Sequence, residues 1–263
     1  MEEPTGYTAY PEINAMLDDL SARLQALLGD QLVALYLHGS LAYGDFNPNT
    51  SDIDFLAVTA SPLSAEQVDA LRVMHQQLAA PGYRWVVRLE GSYIPQDQLR
   101  YYNPALTTHP ALRMDGSFDM DHHGQDWIIQ RYLIRERAVP LFGIPASELI
   151  DPVLPDALRQ AAQATLYEWW RPQLTDSFRL TTGEYQAYGV LTMCRILYTL
   201  QMGHVVSKPV AARWALKNVD PRWHPLIEAA LDWRPDGPEP GFQATLVFIQ
   251  HVVDFSQTSS PQT

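Results

Sequence analysis

Residues 38–54 read His-Gly-Ser-Leu-Ala-Tyr-Gly-Asp-Phe-Asn-Pro-Asn-Thr-Ser-Asp-Ile-Asp. The apolar run before them, residues 32–37, has the length and aliphatic content of a buried strand. Gly39-Ser40 ends that run where a helix can begin. Small residues there let backbone N–H groups approach phosphate oxygens, and a helix start favours negative charge. Asp52 and Asp54 stand two apart at the head of a second apolar run, residues 53–58, so on a strand their carboxylates share one face. Two such carboxylates suit a hard divalent cation such as Mg²⁺. The segment therefore predicts a strand–loop–strand unit that holds a metal-bound nucleoside triphosphate.

Upstream, Ile13, Met16, Leu17, Leu20, Leu24, Leu27 and Leu28 recur at helical spacing, with Gly29 as the C-cap. Downstream, Ser64 is the expected N-cap of a helix reaching about residue 78. Pro81-Gly82 predicts a turn and residues 83–90 a third strand. Residues 91–124 are polar with scattered Pro and Gly, which predicts loops with short elements. Helical spacing returns over residues 126–139. The proline-punctuated stretch 140–155 is the expected domain boundary, and beyond it the pattern is helical over about 156–170, 184–202, 209–218, 223–232 and 241–254. The expected organisation is an α/β domain over residues 1–154, an all-helical domain over 155–255, and a disordered tail over 256–263.

The chain has 263 residues and a formal net charge of −12. That balance disfavours a nucleic-acid partner, which wants a basic surface. It suits a small cationic substrate, because acidic clefts concentrate cations, although solubility alone accounts for it too. Cys194 is the only cysteine, so no disulfide framework forms within the chain, as expected of a cytoplasmic protein. The N-terminus lacks the apolar segment of a signal peptide, and no apolar run approaches the length of a membrane span.

Phosphoryl or nucleotidyl transfer needs positioning and charge neutralisation more than covalent chemistry. A two-metal clamp calls for a third carboxylate at a neighbouring strand end. Glu90, closing the expected strand 83–90, is the candidate. It would serve as a metal ligand or as the base that takes a proton from an attacking hydroxyl. Lysine is scarce, with only Lys208 and Lys217 present. Lys208 lies in Ser207-Lys208-Pro209, at a helix start, where the dipole disfavours a cation unless an anion sits against it. A solvated lysine at modest cost fits that argument equally well. His38, His122 and His123 show no metal-site spacing. Trp169-Trp170 is by default core packing and otherwise a platform for a sugar or base. Asp176 and Glu184 read, by composition alone, as solvated charges.

Gly39-Ser40 with Ser51-Asp52-Ile53-Asp54 resembles the signature of the polymerase-β-like nucleotidyltransferase superfamily. Three further stretches resemble the streptomycin/spectinomycin (3''/9-type) aminoglycoside adenylyltransferases. They are Leu149-Ile150-Asp151-Pro152-Val153, Gly189-Val190-Leu191-Thr192-Met193-Cys194-Arg195-Ile196-Leu197-Tyr198 and, most selectively, Ser207-Lys208-Pro209-Val210-Ala211-Ala212-Arg213-Trp214-Ala215. The likeness extends over about residues 30–250. It implies a nucleotidyltransferase domain with a mixed sheet and flanking helices, followed by a helical bundle. It implies transfer of AMP from ATP, with Mg²⁺ (two ions), to a hydroxyl of an aminocyclitol antibiotic. The chain is separately expected to be a cytoplasmic monomer. Residue by residue, the resemblance implies that Gly39, Ser40 and Ser51 contact the triphosphate and that Asp52, Asp54 and Glu90 bind the metal, with Glu90 also the catalytic base. It implies nucleotide contacts for Asp126, Arg195, Lys208 and Trp233, and drug contacts for Trp169.

The chain also departs from that family. Its loop from Gly-Ser to Asp-x-Asp is one residue longer, and the loop after Trp169 is several residues longer. Where the family carries a Gly-Asp-Glu-Arg-Asn-like acidic run, this chain has Gly183-Glu184-Tyr185-Gln186-Ala187-Tyr188. Glu184 keeps a charge there, with Asp176 as a second candidate from the longer loop. Cation recognition needs such carboxylates, so nucleotide chemistry is better supported than the acceptor. A different acceptor, such as a protein side chain, and a nucleotide-binding regulator without transfer are the competing readings.

Overall fold

The computed structural model describes residues 6–80 and 82–258. It divides into two compact units, one reaching to Asn47 and resuming over Ser51–Pro152, the other comprising Pro48–Thr50 and the chain from Val153 onward.

The first unit is a six-stranded mixed sheet with helices on both faces. In chain order its elements are α1 (Pro11–Leu28), β1 (Leu32–His38), α2 (Gly39–Tyr43), β2 (Ile53–Thr59), α3 (Ala65–Leu78), β3 (Leu89–Pro95), α4 (Gln96–Leu99), β4 (Thr108–Leu112), β5 (Phe118–His122), α5 (Asp126–Arg137), β6 (Val139–Gly143) and α6 (Ala146–Leu149). The strand order is β5-β4-β3-β2-β1-β6, with β2 and β3 parallel and every other pair antiparallel. Alternation along the strands sorts the two layers. Leu35, Leu37, Phe55 and Ala57 pack under α1 and α3 through Ile13, Leu17, Leu24 and Leu71. Ala34, Tyr36, Leu56 and Val58 pack under Leu99, Ile134 and Leu149 from the opposite side. Both layers are closed, so the sheet centre is dry, and the polar residues at the strand starts stand out as positions spared from packing.

Several expected elements form as read. The C-cap of α1 is Gly29, and Ser64 caps α3 through a capping box with Gln67. Other expectations are corrected. Residues 83–90 are not a strand. Val86–Arg88 form a 3₁₀ turn with Trp85 buried and Val87 exposed, and β3 begins only at Leu89. Glu90 therefore opens a strand instead of closing one. The stretch read as loops, 91–124, contains most of β3 and the β4–β5 hairpin, whose outer residues Asp119 and Met120 are exposed. The proline-rich stretch 140–155 is not a linker at its start, because β6 pairs antiparallel with β1. Pro81 of the expected turn lies outside the described residues.

The second unit is all-helical: α7 (Pro155–Thr165), α8 (Gly183–Met202), α9 (Lys208–Asn218), α10 (His224–Leu231) and α11 (Phe242–Thr258). The central α8 buries Val190, Met193, Cys194 and Leu197 and packs against the other four. Its mostly apolar surround is the expected sequence of a core helix. α11 runs to Thr258, with Ser256 buried and donating its hydroxyl to the Val253 carbonyl at 2.7 Å, so the expected tail does not begin at residue 256. Residues 259–263 lie outside the described residues. Among the described residues, no helix is long and apolar enough to cross a membrane.

Candidate active site

Asp54 and Glu90 are register partners on the parallel strands β2 and β3, and Asp54 is also the partner of His38 on β1. Paired residues point to the same face, so the two carboxylates stand side by side. Asp52, just before β2, joins them, and one oxygen from each of Asp52, Asp54 and Glu90 lies within 4.8 Å of the others. All three are half-buried. At an effective dielectric of about 20, two like charges about 5 Å apart repel by about 3 kcal/mol. An all-oxygen, triply anionic donor set of this kind matches the coordination chemistry of Mg²⁺.

Gly39 shows why the preceding loop has no side chain at that point. Its φ is +66°, and a Cβ built there would stand 1.8 Å from Oδ2 of Asp54. Glycine is thus required twice, for conformation and for space. Ser40 follows in α2, and its Oγ is buried without a hydrogen-bond partner. An orphaned hydroxyl costs about 1–3 kcal/mol when nothing satisfies it, so an anionic oxygen would gain a donor already desolvated. Ser51 is placed differently. Its Oγ accepts from the Asn47 N–H at 3.0 Å and its N–H donates to the Asn47 carbonyl at 2.8 Å, which closes the loop ahead of Asp52. The Ser51 hydroxyl keeps its own proton to donate.

Asp126 opens α5, which packs against α2. Part of the residue reaches solvent, yet partial desolvation, the leading cause, raises its carboxyl above the usual range. His38, N-terminal neighbour of Gly39, is buried, and that burial lowers its imidazole to about 4, so it is neutral near pH 7. Two supporting residues escaped the sequence reading. Arg88 donates from Nη1 to the Ser51 carbonyl at 3.1 Å, tying the turn before Glu90 to the residue before Asp52. Ser92, on the same face of β3 as Glu90, is 3.1 Å from Nε2 of His123, which stacks on Trp127 at 3.5 Å between centroids. The Arg-Leu-Glu spacing was visible for the first; the second is tertiary.

In the helical unit, Glu184, Tyr188 and Arg195 fall on one stripe of α8 by helical spacing. Nζ of Lys208, the first residue of α9, lies 4.0 Å from the centre of the Tyr188 ring. Trp233 is half-buried, with Nε1 2.7 Å from where a Cβ on Gly183 would stand, so glycine lets the indole lie against the first turn of α8. Trp169 is 46% exposed, donates from Nε1 to the Tyr185 hydroxyl at 3.1 Å, and carries the Arg179 guanidinium 4.9 Å from its ring. Its neighbour Trp170 is 1% exposed. The pair is thus divided, with one ring in the core and one at the surface. Glu184 and Asp176 are exposed, the latter between the turns Arg171–Leu174 and Phe178–Thr181.

A mixed sheet that sets a Gly-Ser loop against three clustered carboxylates defines the class of nucleotidyltransferases. The nucleotidyltransferase domain model matches residues 17–97, and that of the aminoglycoside adenylyltransferase C-terminal domain matches residues 148–258. The chain is a nucleotidyltransferase enzyme and, over these two stretches, is similar to the aminoglycoside adenylyltransferases. An aminoglycoside (3'') (9) adenylyltransferase of Shigella flexneri is 27% identical over 230 residues, covering 82% of this chain and 83% of that protein. A spectinomycin 9-adenylyltransferase of Campylobacter jejuni is 25% identical over 214 residues, covering 78% and 79%. The crystal structure of a spectinomycin adenyltransferase from Enterococcus faecialis with ATP and spectinomycin is similar in fold, with a TM-score of 0.72 at 17% identity, over 91% of this chain and 98% of that one.

Proposed function

We propose that this enzyme is an ATP- and Mg²⁺-dependent O-adenylyltransferase acting on a hydroxyl of an aminoglycoside or aminocyclitol antibiotic of the spectinomycin/streptomycin kind, and so confers resistance. The observation that carries the chemistry is the half-buried Asp52–Asp54–Glu90 cluster beside the unsatisfied Ser40 hydroxyl. The relatives named above support the acceptor class. In this reading the chain works in the cytoplasm as a monomer.

Asp52, Asp54 and Glu90 would hold Mg²⁺, which when bound supplies charge neutralisation on the phosphates and polarises the reacting phosphoryl group. Ser40 donates to a phosphate oxygen, with Gly39 keeping the backbone close. Lys208 and Arg195 neutralise the charge that develops on the leaving pyrophosphate. Asp126 and Trp233 contact the nucleoside. Glu90 takes the proton from the acceptor hydroxyl. The acceptor oxygen forms a bond to the α-phosphorus as the bond to the β-phosphate oxygen breaks, and pyrophosphate leaves. Trp169 offers its exposed face to the acceptor, and Glu184 and Asp176 pair with its ammonium groups.

Pyrophosphate release from ATP and Mg²⁺ across a panel of aminoglycosides and aminocyclitols tests this. Release with spectinomycin or streptomycin, and a product heavier by one AMP, is expected. Silence across the panel, with release on another acceptor, would overturn the acceptor assignment.

A further inference from the structure

Lys208 occupies an unfavourable place. It is the first residue of α9, and the N-cap Ser207 makes no side-chain capping bond there. The positive end of the helix dipole disfavours an ammonium at that position. One of its contacts offsets this. The face of Tyr188 lies under the ammonium, at 4.0 Å from ring centre to Nζ, well inside the range of cation–π attraction. The ring is itself held from below. It packs on Tyr185 at 5.5 Å and on Trp170 at 5.7 Å between centroids, and Trp170 is buried. Gly189 lets Trp170 come this near, since a Cβ there would stand 3.1 Å from the indole.

We propose that Tyr188 is the positioning residue for Lys208, holding its ammonium in place for the nucleotide's phosphates. This rests on the function proposed above. An aromatic face suits the task because it attracts the cation without cancelling its charge. A carboxylate in the same position would compete with the phosphates for it. Lys217, at the other end of α9, has the favourable end of the dipole and needs no such partner. The cation–π geometry also explains why an aromatic residue stands on the Glu184–Arg195 stripe of α8, facing outward at 40% exposure where a polar residue would be ordinary.

The test is ATP affinity of the full chain in the presence of Mg²⁺, without acceptor. Tyr188→Leu should weaken ATP binding about three- to tenfold, and Tyr188→Phe, which keeps the ring, should stay within about twofold of wild type. In a Lys208→Met background the Tyr188→Leu change should have no further effect, because the residue acts through the lysine. Equal losses in both backgrounds, or a Phe variant as weak as the Leu variant, would overturn the assignment. Replacing Tyr188 by phenylalanine with fluorines added one by one preserves the packing; affinity should fall stepwise as the ring loses its negative face, and a flat series overturns the proposal. A wild-type chain that binds ATP but never releases pyrophosphate sinks the transfer reading and leaves this result standing.

Discussion

Gly39 and Asp54 stand so close that any side chain at position 39 must displace the Asp54 carboxylate: a Cβ on Gly39 would meet Oδ2 of Asp54 at 1.8 Å. The loop after β1 and the acid at the head of β2 are therefore one device. Closing the loop onto the sheet sets where the carboxylate points.

Gly39→Ala should damage turnover directly, because the atom it displaces belongs to the acidic cluster. A left-handed φ costs an alanine about 1–2 kcal/mol, and the new carbon must also push the Asp54 carboxylate aside. A displacement near 1 Å at a reacting centre costs about 100-fold in rate. Turnover should fall by at least that much while the chain remains folded at 25 °C, as followed by circular dichroism and pyrophosphate release. An alanine variant with wild-type turnover would show that Asp54 is not held by this contact.

Glu90→Gln separates proton transfer from nucleotide binding. The amide is nearly isosteric with the carboxylate and cannot accept the hydroxyl proton. A loss of about 10²- to 10⁴-fold in kcat is expected, with ATP affinity largely kept. Single-turnover kinetics with a calorimetric ATP titration checks both halves. Wild-type turnover would remove Glu90 as the base.

Ser40→Ala should divide stability from binding in the opposite sense to most core changes. Its Oγ is buried and unsatisfied, so removing it deletes no bond and should leave Tm unchanged or slightly raised. A hydrogen bond to a charged oxygen is worth about 1.5–3 kcal/mol, so ATP affinity should drop about tenfold or more. A variant that loses Tm and keeps its ATP affinity would make the hydroxyl structural.

Much of this architecture was legible because the decisive residues are close in sequence. α1, β1, β2 and α3 follow from apolar spacing with a Gly29 C-cap and a Ser64 capping box, and the Gly-Ser…Asp-x-Asp segment lies within one loop. β3 was misplaced because Trp85 and its neighbours carry strand-forming side chains, whereas Gly91 and Ser92 interrupt the true strand with poor ones. Gly91 is there because its Cβ would stand 2.4 Å from the Phe55 backbone, a demand of packing that no local pattern reveals. Likewise nothing near Lys208 in sequence points to Tyr188. Their pairing depends on how α8 and α9 pack.

His75 gives the first unit an acid limit. It is 5% exposed, with Nε2 2.7 Å from the Tyr93 hydroxyl, and burial lowers its imidazole from 6.5 to about 4. The folded state therefore resists protonation that the unfolded chain accepts. The resulting stability is complete above about pH 6.5, the unfolded value, and is lost progressively as pH falls toward about 4, below which both states are protonated. Linkage puts the loss at about 3 kcal/mol for this group. Urea unfolding between pH 7 and pH 4 should show a smaller acid decline for His75→Gln than for wild type. Parallel curves would assign the decline to other groups, among them His38, which burial also lowers.

Trp169 and Trp170 should part company when each is replaced. Trp170 is 1% exposed beneath Tyr185 and Tyr188, so Trp170→Ala should cost about 3–5 kcal/mol of stability. Trp169 is 46% exposed, and its alanine variant should unfold much as wild type does while raising KM for the acceptor and leaving KM for ATP unchanged. Glu184→Gln should act in the same direction but weakly, about two- to fivefold, because an exposed carboxylate gains little from pairing with a cation in water. Raising the salt concentration should shrink the Glu184 effect and spare the Trp169 effect, since screening acts on charge and not on stacking. If instead both variants shift KM for ATP alone, the surface indole and the α8 carboxylate serve the nucleotide, and the acceptor is recognised elsewhere.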